Sequence, residues 1–213
     1  MILLGASISP FVRKVLVMAA EKQIPLEHRQ LSPTTSQDPL FLAASPFRKV
    51  PVLIDGDYHL ADSTAIVAYL EARFPQTPMF PADPRERGTA TWYEEVADTI
   101  MFPAGQKIFF NRVVLPRFLN RPGDLATAAE AQATLLPPVY DYLEKVVPVE
   151  GFLVGGSLSI ADICVTSMLV NMHFCDAGVD PASHPRLAAY FARISARPSF
   201  AGLIAGDRAM LAA

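Results

Sequence analysis

The chain has 213 residues, of which 51% are hydrophobic and 18% are charged, and its formal net charge at pH 7 is -3. This composition is typical of a folded globular protein with ample core, and it excludes an intrinsically disordered chain. The acidic balance and the lack of a basic cluster argue against nucleic acid as the main partner.

The sequence also argues against a membrane or secreted location. The longest charge-free run, Ile163 to Cys175, has 13 residues and is too short to cross a bilayer as a helix. The N-terminus has no basic region before its apolar stretch, which Pro10 and Arg13 interrupt, so no secretory signal is expected. Cys164 and Cys175 lie in apolar surroundings without CxxC spacing, which favours buried free thiols in a reducing compartment. We therefore expect a cytoplasmic protein.

The chain begins with the pattern of a strand, a loop and a helix. Met1 to Leu4 is a short apolar run suited to a buried strand, and Pro10 suits the first turn of a helix. Ser9 then lies at the helix N-terminus, where the helix dipole favours a nearby anion. A serine hydroxyl there can donate a hydrogen bond to a thiolate and lower the pKa of that thiol. The alternative is that Ser9 only caps its helix.

A second strand is predicted for Leu26 to Leu31, and Ser32 to Ser45 is predicted to be a loop with at most a short helix. Val50–Pro51 comes next. An X-Pro bond can be cis at modest cost, and a cis bond here would turn the neighbouring backbone N–H and C=O outward, ready to pair with a peptide-like ligand.

A hairpin and a helix follow this proline. The short runs Val52–Ile54 and Tyr58–Leu60 flank Asp-Gly, a pattern typical of a β-hairpin. Asp62 and Ser63 then precede apolar residues at helical spacing, so Ser63 is expected at the N-cap or in the first turn. Such a helix start attracts carboxylates, and Asp62 would pair with an ammonium group. Together these features fit the γ-glutamyl end of glutathione.

These segments resemble the cytosolic glutathione S-transferases. Val50-Pro51, followed eleven residues later by Asp62-Ser63, is similar to the glutathione-binding half of that family, where Glu-Ser is usual and Asp-Ser a common variant. Ser9-Pro10-Phe11, with Arg13, is similar to the Ser/Cys-Pro-aromatic-x-Arg segment of its serine- and cysteine-type members. The resemblance places Ser9 at the activating position.

The resemblance implies roles for three more residues. Ser7 is the alternative to Ser9 for contacting the thiol. Lys49 would pair with the glycyl carboxylate of glutathione, as the family's basic residue does, although a solvated lysine at a strand edge fits its sequence position equally well. Arg13 is expected to have a structural or ion-pair role.

The second half of the chain is predicted to be all-helical. Four prolines between Pro75 and Pro84 mark a linker at residues 76–84, between a thioredoxin-like domain at 1–75 and a helical domain at 85–213. An amphipathic helix is predicted from Arg85 to about Phe102, with Pro103 and Pro116 interrupting or bracketing the next stretch. Leu125 to Val146 is predicted to be one long helix, kinked or broken at Pro137-Pro138.

A capping box begins the most apolar helix of the chain. Ser159 and Asp162 are spaced as N-cap and N3, with Leu158 and Ile163 as a hydrophobic staple. The helix that follows is apolar nearly all round, so we expect it at the centre of the second domain. The box resembles the Ser/Thr-x-x-Asp folding signature of glutathione transferases, where it is structural. The expected fold class is therefore α/β plus all-α, the glutathione transferase architecture.

The resemblance implies a serine-type, bacterial-like glutathione transferase that uses glutathione as cosubstrate and forms a homodimer. Because serine cannot form a mixed disulfide with glutathione, thiol addition or isomerisation is favoured over disulfide exchange. The electrophile is expected to be small and apolar, in a pocket assigned to Phe11, Phe102 and Phe109. The helix from Arg85 to Phe102 is the expected partner surface.

Three other functions stay open at this point: a glutathione-dependent isomerase, a glutathione-dependent disulfide reductase, and a non-catalytic binding protein of the stringent-starvation or carrier kind. The zeta-type isomerase segment Ser-Ser-Cys is absent, since Ser7 and Ser9 have no cysteine beside them. Retention of Ser9 with Asp62-Ser63 argues against a carrier. No metal site is expected, because the histidines show no paired ligand spacing, and no nucleotide-binding motif is present.

Overall fold

The computed structural model describes residues 1–32 and 36–212, and the chain divides into two units, Met1–Met79 and Phe80–Ala213. The described residues of the first unit form four strands and three helices: β1 (Ile2–Leu4), α1 (Pro10–Glu21), β2 (Glu27–Arg29), α2 (Pro39–Ala44), β3 (Val52–Asp55), β4 (Tyr58–Ala61) and α3 (Ser63–Arg73). Part of the loop predicted for Ser32 to Ser45 lies outside the described residues, and α2 is the short helix allowed there.

The four strands form one mixed sheet in the order β2-β1-β3-β4. β1 pairs with β2 in parallel, whereas β1–β3 and β3–β4 are antiparallel. This mixed sheet with its helices is the thioredoxin-like domain, so the predicted fold class of this half is confirmed. The second strand is shorter than predicted, Glu27–Arg29 in place of Leu26 to Leu31.

Both faces of the sheet are covered by helices or loops. Successive strand residues point to opposite faces, and Val52, Leu53 and Ile54 are all buried. On one face, Phe41 of α2 packs against Leu4, Val52 and Ile54. A strand buried on both sides reads as a continuous apolar run, which is why this segment shows no polar alternation.

The second unit is helical throughout its regular structure: α4 (Pro84–Glu95), a π-helical segment (Val96–Met101), α5 (Phe102–Phe109), a second π-helical segment (Phe110–Phe118), α6 (Leu125–Thr134), α7 (Leu136–Val146), α8 (Ile160–Phe174), α9 (Pro185–Ser195) and α10 (Pro198–Ala212). The predicted helical domain is confirmed. Within the described residues, no helix is long and apolar enough to span a membrane.

Pro103 and Pro116 do not interrupt the helical structure, but Pro103 lies in the first turn of α5, as the bracketing alternative predicted, and Pro116 lies inside the second π-helical segment. Helical structure continues from Pro84 to Phe118, and the prolines are accommodated beside or within the two π-helical segments. A π turn pairs each N–H with a carbonyl five residues back, so the backbone can adjust around a proline that has no N–H to donate. The predicted break near Pro137-Pro138 does occur, after Thr134, and both prolines lie in the first turn of α7, where an N–H is not required.

Helix α8 forms the buried centre of the second unit. Every residue from Ile160 to Met172 is buried, as its all-round apolar sequence predicts. Leu158 and Ile163, the predicted staple, are also buried.

Candidate glutathione site

The strand register brings three predicted site segments to one edge of the sheet. Leu4 pairs with Val52, and Val52 pairs with Ala61, so these residues form a row across β1, β3 and β4. The chain leaves β1 after Leu4, enters β3 at Val52 and leaves β4 after Ala61. Residues 5–9, 49–51 and 62–63 therefore lie beyond the same edge.

Gly5 holds the first of these segments tightly against its neighbours. Its φ is +148°, a conformation that favours glycine, and an added Cβ would lie 2.6 Å from Val12 Cγ2 and 3.2 Å from Val50 Cβ. The Gly5 N–H donates to Arg29 O at 3.1 Å, and His28 Nε2 donates to Gly5 O at 2.8 Å. Only glycine fits where the loop after β1 passes this close to Val50.

Ser9 is the residue preceding α1, but its side chain does not cap the helix. It is partly exposed, its N–H donates to Ala6 O at 2.9 Å, and the first turn of α1 carries no acidic side chain. Buried Arg13 supports the loop by donating from Nη2 to Ile8 O at 3.4 Å, in keeping with its expected structural role. The capping alternative for Ser9 is therefore wrong, and its hydroxyl lies at the positive end of a helix dipole.

Ser7, the alternative thiol contact, forms two hydrogen bonds with the side chain of Gln30. It is buried, its Oγ accepts from Gln30 Nε2 at 2.8 Å, and its N–H donates to Gln30 Oε1 at 3.2 Å. This pair fixes the loop after β1 to the end of β2. Sequence reasoning missed Gln30, because the two partners are 23 residues apart and nothing local signals the contact.

The second segment, Lys49 to Pro51, includes a cis peptide bond between Val50 and Pro51. Ser45, which is buried, fixes the backbone before it: the Lys49 N–H donates to Ser45 Oγ, and Ser45 Oγ donates to Lys49 O, each at 2.8 Å. The side chain of Lys49 is exposed, whereas Pro51 is buried. Sequence reasoning also missed Ser45, whose role depends on a turn that the pattern does not specify.

The third segment has Ser63 in the first turn of α3, as predicted, but Asp62 caps this helix, which was not predicted. Asp62, with φ +81°, is the N-cap of α3, and Ser63 is the first helical residue. Asp62 Oδ1 accepts from Thr64 N at 2.9 Å and from Ala65 N at 3.1 Å, so two N–H groups expected to attract a ligand carboxylate are already occupied. The Ser63 N–H is not part of this cap. Asp62 remains exposed and Ser63 is buried.

A buried cation links the first helix to the start of α3. Lys14 is 1% exposed, and its Nζ donates to Thr64 Oγ1 at 3.2 Å. Lys14 lies in the helix that Ser9 precedes, and Thr64 directly follows Ser63. The bond therefore connects two of the three segments, and the apolar periodicity of α1 did not reveal it.

The residues assigned to an acceptor pocket are distributed over two elements. Phe11 lies partly buried in the first turn of α1, in the first unit. Phe102 and Phe109 are the first and last residues of α5, in the second unit, seven positions apart and thus on one helical face. Phe109 is buried, and Phe102 is partly exposed.

The capping box at the start of α8 is present, and its carboxylate has further partners. Asp162 Oδ2 accepts from Ser159 N at 3.0 Å and from Ser159 Oγ at 3.2 Å, and Oδ1 accepts from Leu153 N and Tyr190 Oη, both at 2.8 Å. Burial raises the pKa of the Asp162 carboxyl, while its four donors act in the opposite direction. Sequence reasoning missed Tyr190 and Leu153. The box is structural.

The two cysteines are not arranged for thiol chemistry. Cys164 and Cys175 are buried and are not joined in a disulfide, and burial raises the pKa of the Cys175 thiol to about 12. Within residues 1–32 and 36–212, no cluster of three histidine, cysteine, aspartate or glutamate side chains could hold a metal ion.

Comparison with known proteins identifies the family. The model of the glutathione S-transferase N-terminal domain matches residues 3–78, and that of the glutathione S-transferase C-terminal domain matches residues 115–205, together well over half of the chain. The chain belongs to the glutathione S-transferase family. The predicted family, architecture and enzyme class are therefore confirmed.

Individual relatives support this assignment. Glutathione S-transferase 3 of Zea mays is 29% identical over 213 residues, covering 95% of this chain and 92% of the relative. The structure of a glutathione S-transferase from Methylobacterium radiotolerans, in complex with glutathione sulfonate, has a TM-score of 0.79 at 27% identity and covers 95% and 93% of the two chains. A stringent starvation protein A homolog of Haemophilus ducreyi is 26% identical and covers 92% and 86%.

Proposed function

We propose that this family member is a serine-type glutathione transferase, in which the Ser9 hydroxyl holds the glutathione thiolate for attack on a small apolar electrophile. One observation carries the proposal: the residue row Leu4–Val52–Ala61 places the loop ending at Ser9, the Val50–Pro51 segment and the Asp62–Ser63 helix start beyond one sheet edge. Each segment offers a group that one part of glutathione requires.

Glutathione would bind along this edge with its γ-glutamyl end at the start of α3 and its glycyl end at Lys49. The exposed Asp62 carboxylate would pair with the γ-glutamyl ammonium, and the Ser63 N–H and hydroxyl would bind the γ-glutamyl carboxylate. The backbone of Val50, beside Pro51, would pair with the cysteinyl unit. The exposed ammonium of Lys49 would bind the glycyl carboxylate. The Methylobacterium relative, whose structure contains glutathione sulfonate, supports this choice of ligand.

Ser9 would act on the thiol. A hydroxyl that donates to the sulfur stabilises the thiolate more than the thiol and therefore lowers the thiol pKa. The positive end of the α1 dipole acts in the same direction. The thiolate then forms a carbon–sulfur bond to the electrophile. With an aryl halide the halide departs with the bonding electron pair, whereas with an epoxide or an enone that pair moves to the oxygen of the electrophile and the product takes up a proton from solvent. Because Ser9 has no sulfur, no disulfide forms with the enzyme at this position.

The electrophile would be held by apolar side chains, with Phe11, Phe102 and Phe109 as the proposed lining. Partly exposed aromatic side chains offer a large apolar surface against which an apolar molecule can pack. Because Phe109 is buried, it would offer the least surface to the electrophile.

The proposal includes a cytoplasmic homodimer whose partner surface lies on the helix from Arg85 to Phe102. Trp92 and Ile100 are 49% and 55% exposed there, an unusual exposure for large apolar side chains that a partner copy would reduce.

A non-catalytic, glutathione-transferase-like binding protein is the second candidate. The similarity to a stringent starvation protein A homolog over 92% of this chain favours it. An isomerase or a disulfide reductase would use the same glutathione site. An isomerase would release glutathione unchanged, whereas a disulfide reductase would oxidise two glutathione molecules to their disulfide for each substrate disulfide that it reduces.

The test is glutathione binding by calorimetry, with Ser63→Ala and the exposed Ser157→Ala as a matched control in the second unit. We expect Ser63→Ala to weaken binding about tenfold, the loss of one hydrogen bond to a charged group, and Ser157→Ala to leave it unchanged. Product analysis with aryl halides, epoxides and enones then separates a transferase from a carrier. Absence of glutathione binding by the wild type would overturn the proposal.

A further inference from the structure

A cavity of about 200 Å³ lies within the second unit, between α8, α9 and α10. Its apolar lining includes Val170, Phe191 and Ile204, and its polar lining consists of His173, Ser195 and Arg208. Among the residues that the structure describes, no acidic side chain contributes to the lining. The cavity is smaller than the sites that bind drug-sized ligands, so its occupant would have about one ring or a short chain.

His173 is held firmly at the wall of this cavity. Its ring stacks on Phe191 with a centroid separation of 4.2 Å and an interplanar angle of 4°. Gly178 lies against the ring edge, where an added Cβ would be 2.6 Å from Nδ1. His173 Nε2 is shut off from solvent and has no hydrogen-bond partner among the described residues.

Arg208 supplies the charge at this place. Its side chain is exposed, and within residues 1–32 and 36–212 its guanidinium has no hydrogen bond or ion pair. Burial and the charge of Arg208 together lower the pKa of His173, so the ring is neutral near pH 7 and Arg208 is the fixed positive charge beside it. A guanidinium presents donors in a fork that matches a carboxylate.

We propose that this cavity binds a small carboxylic acid with a compact apolar body, such as an aromatic monocarboxylate. The carboxylate pairs with Arg208, and the apolar body fills the space beside His173 and Phe191. Charge complementarity selects this occupant, because a wall whose described residues include the Arg208 cation and no carboxylate favours an anion over a neutral or cationic ligand. The site is separate from the proposed glutathione site, whose residues all belong to the first unit.

The experiment is fluorine NMR with 4-fluorobenzoate as the probe and 4-fluorobenzyl alcohol as its neutral analogue. Arg208→Met removes the cation, and Ala201→Phe fills the apolar side from an exposed position. Arg121→Met, in the exposed loop after the second π-helical segment, is the matched control.

We expect saturable binding of 4-fluorobenzoate to the wild type, at least tenfold weaker binding to Arg208→Met and Ala201→Phe, and no change in Arg121→Met. The neutral alcohol should bind at least tenfold more weakly than the acid, and saturating glutathione should not displace the acid. Lack of saturable binding, an equal loss in Arg121→Met, undiminished binding to Arg208→Met, or displacement by glutathione would each overturn the proposal.

Discussion

Replacing Gly5 by alanine tests how closely the loop after β1 must approach Val50. At φ +148° a side chain is strained by about 1–3 kcal/mol. The new Cβ would also lie 2.6 Å from Val12 Cγ2 in a buried region, and overpacking of this kind costs a further ~1–3 kcal/mol. We therefore expect Gly5→Ala to lower the free energy of unfolding by about 2–6 kcal/mol, summing these two costs.

Gly56→Ala separates the two costs. Gly56 has φ +64° in the β3–β4 turn, but nothing lies within 4 Å of an added Cβ. Only the backbone cost of about 1–2 kcal/mol is expected there. Urea unfolding gives the two stabilities, and calorimetry should show weaker glutathione binding for Gly5→Ala alone. Equal losses of stability for the two variants would refute the close approach of Val12 and Val50 to Gly5.

Three further predictions concern stability and thiol reactivity. Tyr190→Phe removes one donor from buried Asp162 and should cost about 1.5–3 kcal/mol in urea unfolding, as for other hydrogen bonds to charged groups. Lys22→Met breaks a buried pair in which Lys22 Nζ lies 2.6 Å from Glu71 Oε2, and should cost about 3–5 kcal/mol in the same assay. Cys175, with its pKa raised to about 12, should resist iodoacetamide in the native protein at pH 8 and react on unfolding. Because the unfolded thiol ionises at lower pH, Cys175 should also make stability fall as pH rises from about 8.5 towards 12.

Each of these predictions has a control and a contradicting result. Leu153 N and Ser159 still bind Asp162 in Tyr190→Phe, so a loss below about 0.5 kcal/mol, the range of neutral surface substitutions, would mean that the Tyr190 bond is not formed. Arg29→Met breaks an exposed pair with Glu27 and should leave stability unchanged, and a loss equal to that of Lys22→Met would contradict the difference in burial. Rapid native labelling of Cys175 would show that it is accessible.

Local signals made much of the fold predictable. The alternation of short apolar runs with Asp-Gly predicted the β3–β4 hairpin, and the three-residue spacing of Ser159 and Asp162 predicted the start of α8, because both depend on neighbours in sequence. The same reasoning placed Ser9 at the start of α1 and Ser63 in the first turn of α3.

Contacts distant in sequence could not be predicted. The bond between Ser7 and Gln30 spans 23 residues, and that between Lys14 and Thr64 spans 50, so neither has a local signature. Asp62 was interpreted as a partner for a ligand, whereas its carboxylate also caps α3, because Asp serves both purposes equally well. Pro103 failed as a helix terminator since the neighbouring π-helical segment accommodates it.

The most direct test of the proposed mechanism is the pKa of the glutathione thiol when bound to the wild type and to Ser9→Ala, followed by thiolate absorbance across pH. We expect the wild type to lower the thiol pKa below that of free glutathione, and Ser9→Ala to bind glutathione with a thiol pKa about 1–2 units higher, as loss of one hydrogen bond to a charged sulfur implies. A bound thiol pKa that is the same in both proteins would contradict the assignment of Ser9 as the activating residue.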